Sequence, residues 1–126
     1  MANDEHVALL KQGAVAWNAW RHENPQVLAD LTCADLTRAD LTSAFLGGAD
    51  LTEATLAGAD LGSADLTRAR LFRTDFTRAT LGGTTLAEAT LTGAKWPAGA
   101  PVPRGWKLDT RTGRLTADGG SGRAPS

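Results

Sequence analysis

Reactive side chains are few in this chain, and their spacing limits the chemistry open to it. The two histidines, His6 and His22, both stand near the N-terminus. On a helix their separation is about four turns and places them on different faces, too far apart to share a proton or a metal ion. Each reads as a surface or packing residue. Cys33 is the only cysteine, so neither an intramolecular disulfide nor a thiolate zinc site can form. No histidine shares its segment, which leaves a Cys33 thiolate without the base a nucleophile needs. A small tolerated residue is the expected role. The glycine pairs Gly47-Gly48 and Gly82-Gly83 do not form a phosphate-binding loop. No catalytic constellation, cofactor or metal is expected, and the chain does not read as an enzyme.

Charge and composition narrow the classes further. Thirteen Lys and Arg against fourteen Asp and Glu give a net charge of −1, which excludes a uniformly basic nucleic-acid binder. With 126 residues, 42% of them hydrophobic and 21% charged, the chain fits one domain and is neither a disordered acidic tail nor a membrane span. The start, Met1-Ala2-Asn3-Asp4-Glu5, lacks the basic and apolar regions of a signal peptide. A soluble, cytoplasmic protein is expected.

The elements that position these side chains follow from a register of five. From Leu31 to Trp96 every fifth residue is Leu, with Phe76 and Trp96 as the exceptions, so fourteen consecutive units share one frame. Two residues before each stands Ala, replaced only by Thr74 and Thr84. On an α-helix a step of five advances roughly 140°, which would scatter the leucines around the axis. On a straight strand an odd step alternates faces. Ala and Leu within one unit are two apart and point the same way. A bend through the remaining residues must then return the next pair inward, so the chain coils around its own leucines as a β-solenoid. The glycines are mostly corner residues of that coil.

The units Ala34-Asp35-Leu36-Thr37-Arg38, Ala39-Asp40-Leu41-Thr42-Ser43 and Ala64-Asp65-Leu66-Thr67-Arg68 resemble the pentapeptide-repeat family over residues 29–96. The resemblance implies an all-β fold, a right-handed quadrilateral β-solenoid with four units per coil. Fourteen units then make about 3.5 coils, a rod roughly 17 Å tall at the ~4.8 Å spacing of paired strands. Residue i stacks on i+20 in such a coil. Leu36, Leu56, Phe76 and Trp96 therefore form one interior column that grows toward the C-terminus, and the hydroxyls of Thr74 and Thr84 need partners if buried.

A short solenoid needs its ends closed. Residues 1–25 read as an N-terminal amphipathic capping helix over 4–23, begun by Asn3 or Asp4 and stopped at Asn24-Pro25. Val7, Leu9, Leu10, Ala14, Ala16, Trp17 and Trp20 form its apolar arc. Gly13 lies within that arc, and close packing against another backbone is the expected reason for it. The polar side has no basic excess, so a cap is favoured over a membrane helix. Residues 26–96 are the solenoid. Residues 97–116 are a Pro-rich link and a hairpin-like C-terminal cap, turning around Asp109–Gly113, with Trp106, Leu108 and Leu115 available to close the last coil. Both flanks are similar to segments that bracket a subset of bacterial pentapeptide-repeat proteins. Residues 117–126 are expected to be disordered.

The outward positions carry the remaining information. Residues 29–66 hold Asp30, Asp35, Asp40, Asp50, Glu53, Asp60 and Asp65 against Arg38, a net of −6. Residues 67–96 hold Arg68, Arg70, Arg73, Arg78 and Lys95 against Asp75 and Glu88, a net of +3. Arg70 is expected to pair with Asp50 one coil earlier. Phe45 and Phe72 are outward aromatics, either packed beneath a terminal segment or free to meet a partner. Arg68, Arg70, Phe72, Arg73 and Arg78 form the expected partner-binding surface, suited to an acidic protein.

Some members of the resembled family protect DNA gyrase and topoisomerase IV by imitating duplex DNA. Here that activity would fall to the acidic face of Asp40, Asp50, Asp60 and Asp65. DNA carries one charge per ~1.7 Å, or about ten over such a rod, well above the −3 that this rod offers. The expected function is therefore non-enzymatic protein binding or scaffolding. The alternative is a DNA-mimicking protector or inhibitor of DNA gyrase. The expected partner is a protein, with no direct nucleic acid and no membrane, and the chain is expected to be a monomer or weak homodimer.

Overall fold

The computed structural model describes residues 3–118. Its centre is a coil with four five-residue sides per turn. Each side is so short that one residue per side pairs with the coil above, always i with i+20: Asp30 with Asp50, Asp35 with Thr55, Asp40 with Asp60, Phe45 with Asp65, and onward to Asp75 with Lys95. Leu31 N–H donates to Asp50 C=O and Asp50 N–H to Ala29 C=O, a parallel pattern repeated along the coil.

The corners explain the spacing of five. The leucine carbonyl of each unit accepts from the amide three residues on, as Leu31 does from Ala34 and Leu56 from Ala59. The third residue of that turn must be left-handed. Gly48, Gly58, Gly83 and Gly93 meet the requirement, but Cys33, Arg38, Ser43, Glu53, Ser63, Arg68, Arg73, Arg78 and Glu88 adopt it too, with φ between 55° and 63°. A second bond set holds each turn from outside. The carboxylates of Asp30, Asp35, Asp40, Asp50 and Asp75 each accept from both the amide and the hydroxyl of the threonine two residues later. Asp at this position thus closes the turn locally.

The leucines from Leu31 to Leu71 fill the interior and are at most 1% exposed. Phe76 and Trp96 meet edge to face at 5.3 Å in the expected column. Thr74 and Thr84 donate their hydroxyls to Leu51 and Leu61 carbonyls, so both polar groups inside the coil are satisfied.

At the N-terminus the single expected helix is two, α1 (Asp4–Lys11) and α2 (Ala14–Glu23). The Asn3 side chain caps α1 by accepting from the Glu5 and His6 amides. Gly13 breaks the helix with φ 112°, and a Cβ there would meet nothing within 4 Å. Its backbone angle, not a close approach, calls for glycine.

The helices cover the exposed edge of the first coil on two sides. His6 is buried; its Nδ1 accepts from Asp30 N–H, while Asn3 N–H donates to Asp30 C=O. On the other side, the Asn18 amide accepts from Phe45 N–H and donates to Ser43 C=O, and Trp17 Nε1 donates to Phe45 C=O at 2.7 Å. Asn18 therefore pairs with the edge much as a peptide group would.

At the other end, β1 (Trp106–Asp109) and β2 (Arg114–Ala117) form a hairpin in register Trp106 to Ala117. Its turn closes where expected, Gly113 N–H donating to Asp109 C=O. β2 pairs antiparallel with Lys95 of the last coil, and Leu115 is fully buried there. Trp106 and Leu108 are half-buried. Ala117, expected to open the disordered tail, is a hairpin residue; 119–126 lie outside the described residues. No helix among the described residues is long and apolar enough to cross a membrane.

Candidate interaction surface

The square cross-section assigns every outward residue to a side. Arg70, Phe72 and Arg73 share the side built on Leu31, Leu51, Leu71 and Leu91. Arg68 stands at the corner leading into that side, and Arg78 ends the following one. The expected five-residue patch is therefore four neighbours and one residue a full side away. A corner every five residues separates what the sequence sets close together.

Within the patch Arg70 departs from expectation. Its backbone pairs with Asp50, yet the two side chains form no ion pair. The Asp50 carboxylate is occupied by the Thr52 amide and hydroxyl, and the Arg70 guanidinium instead lies over the Phe72 ring, 5.6 Å from its centroid. Phe72 is half-buried rather than free-standing. Its cation–π contact holds both side chains in place.

Arg73 runs along Gly93, where an added Cβ would come within 2.9 Å of the Arg73 Cγ. Neither Arg70 nor Arg73 has an ion-pair partner among the described residues, whereas Arg68 is tied to Glu88 at 3.2 Å. That pair is exposed on both sides and contributes about 0–1 kcal/mol.

The acidic alternative is divided more widely. Asp40 and Asp60 stack on one side, while Asp50 and Asp65 lie on two others. Hydroxyl and amide donation by Thr42 holds the Asp40 carboxyl below the usual carboxylate range, and Thr32 and Thr37 do the same for Asp30 and Asp35. Phe45 is 51% exposed; α2 engages its backbone and leaves the ring in solvent.

Cys33 is exposed at its corner, without cover from the helices. Among the described residues no three His, Cys, Asp or Glu side chains converge on one point. His6 packs against Trp20 with ring centres 4.8 Å apart. Sequence reasoning missed the Asp-to-Thr turn bonds, whose signal was the recurrent spacing of two. It also missed a groove of about 560 Å³ between the last coil and the Pro-rich link, signalled only by Gly82-Gly83 and the run of prolines.

A family model described as pentapeptide repeats (8 copies) matches residues 29–68 and 69–95. Among the curated proteins nothing matches. The chain is similar to a solved pentapeptide repeat protein from the Arabidopsis thaliana thylakoid lumen, with 38% identity and a TM-score of 0.50, over 51% of this chain and 44% of that one. It is also similar to HetL, a pentapeptide repeat protein involved in heterocyst differentiation regulation in the cyanobacterium Nostoc, with 37% identity and a TM-score of 0.40, over 59% of this chain and 39% of that one. The chain thus matches less than half the length of either protein.

Proposed function

Given that the chain belongs to the pentapeptide-repeat family, we propose that it is a non-enzymatic protein-binding scaffold: a right-handed quadrilateral rod of about 3.5 coils, capped by α1 and α2 at one end and by the hairpin at the other. Its contact surface is the side carrying Arg70, Phe72 and Arg73. One observation carries this reading. Two arginines without carboxylate partners among the described residues share this side with an aromatic ring that one of them, Arg70, already lies over. Such a patch offers a partly ordered anchor with steering charge, which fits an acidic protein surface. The Asp-rich coil has a local explanation in its turns, whereas the arginines at this side have none. The competing reading, a DNA-mimicking protector or inhibitor of DNA gyrase, needs the four aspartates to act together across three sides.

Paired charge swaps separate the two. Arg70→Glu with Arg73→Glu is expected to abolish capture of the partner from host extract and leave melting nearly unchanged. Asp40→Lys with Asp60→Lys is expected to leave capture intact and to have no effect in a gyrase supercoiling assay. Loss of capture or of gyrase protection with the aspartate swap alone would refute the arginine side as the contact.

A further inference from the structure

Among the described residues, the last coil is closed on one side and open on the opposite one. On the closed side β2 supplies an antiparallel partner. Gly93 N–H donates to Leu115 C=O, Leu115 N–H to Ala94 C=O, and Trp96 N–H to Gly113 C=O, each at 2.8 Å. The same three groups recur ten residues earlier, on the opposite side, as Gly83 N–H, Thr84 C=O and Leu86 N–H. None of them has a partner among the described residues.

They border the groove of about 560 Å³ whose far wall is the Pro-rich link. Leu81 and Leu86, which line it, are only half-buried, whereas Leu31 through Leu71 in the same registers are covered. Arg104 is the one charged side chain on the lining, and it makes no ion pair among the described residues. An open backbone edge, an apolar floor and a single cation therefore meet at one place.

We propose that this groove binds an extended acidic segment of a partner protein by strand addition. The occupant runs antiparallel to Thr84–Leu86 and repeats the pattern by which Gly113-Arg114-Leu115 covers the opposite side: a small residue, any residue, then an aliphatic one seated on Leu81 and Leu86. A neighbouring carboxylate meets Arg104. Backbone bonds supply the pairing and the aliphatic residue supplies selectivity. The groove lies apart from the Arg70–Phe72 side, and the proposal rests on the reading of the chain as a protein-binding scaffold.

The test uses the full chain and a synthetic probe, the acetylated and amidated peptide Glu-Gly-Ser-Leu-Glu, with a twin methylated at its leucine nitrogen. The first peptide is expected to bind and to slow amide exchange at Gly83 and Leu86. The methylated twin, deprived of its bond to Thr84 C=O, is expected to bind about tenfold more weakly. Arg104→Glu should weaken binding by a similar factor, and Arg70→Glu with Arg73→Glu should leave it unchanged, so failure here is distinguishable from failure of the arginine side. Equal binding of both peptides, or no binding at millimolar concentration, would overturn the proposal. So would sedimentation showing a dimer of this chain that Leu86→Glu dissolves, because the occupant would then be a second copy.

Discussion

At the scale of single residues, the corners and the interior column are where one side chain decides most. A left-handed corner costs roughly 1–2 kcal/mol for a residue with a Cβ, and glycine gives back about 0.5–1 kcal/mol in unfolded-state entropy. Ser63, at φ 57° and without a side-chain hydrogen bond among the described residues, is the clean test: Ser63→Gly is expected to raise stability by up to about 1 kcal/mol in urea titrations. Gly93→Ala should do the reverse. Its φ is 75° and the new Cβ would lie 2.9 Å from the Arg73 stem, so a loss of about 1–3 kcal/mol and a displaced Arg73 are expected. In the interior, Trp96 is 6% exposed, rests on Phe76 and donates Nε1–H to Pro101 C=O. Trp96→Ala should cost about 3–5 kcal/mol. A melting point within a degree or so of wild type would refute the stacked column.

At the scale of the repeated unit, the Asp-to-Thr bonds tie stability to pH. Thr donors hold Asp30, Asp35 and Asp40 below the ordinary carboxylate range. Burial pushes Asp75 up, but the Thr77 donors with Lys95 and Arg114 together bring it below that range as well. With folded values depressed, the folded chain binds fewer protons than the unfolded chain through this interval, so stability rises with pH. The contribution is complete above the unfolded aspartate value near ~4 and disappears as pH falls through the folded values. Melting temperature should therefore be level from about pH 7 to about pH 5 and drop toward about pH 2. Thr37→Val with Thr42→Val should flatten that slope. A melting temperature that rises on acidification would contradict the account.

At the scale of the whole molecule, the ends carry a disproportionate share of the fold. So few coils leave two exposed backbone edges close to every interior residue. α1 and α2 occupy the first edge through His6, Trp17 and Asn18. Removing residues 1–24 should uncover both that edge and the leucines beneath it, giving concentration-dependent association in sedimentation. A soluble monomeric truncation with an unchanged melting point would show that the helices are not needed for closure. The opposite end differs in kind, because the hairpin pairs with one side and the Pro-rich link only flanks another. That asymmetry leaves Gly83 N–H, Thr84 C=O and Leu86 N–H unpaired among the described residues, beside the groove proposed to accept a strand.

The period of five, the inward Leu and Ala, the column ending in Trp96 and the partners required by Thr74 and Thr84 were all legible in the sequence. Each depends on residues a fixed number of positions apart, and a uniform coil turns fixed spacing into fixed contact. The terminal segments were legible as elements, but their joints were not. Gly13 marks a break because its φ of 112° suits no other residue, and a hydrophobic arc does not reveal a backbone angle. The arginine patch lost Arg78 because corners send nearby residues to different sides. Arg70 lies over Phe72 because Thr52 already occupies the Asp50 carboxylate, a competition between hydrogen bonds that spacing alone does not resolve. The open edge at Gly83, Thr84 and Leu86 was hidden for the same reason. Whether a backbone group at the end of a coil is paired depends on how far the following link and hairpin reach in space, and only the tertiary structure decides that.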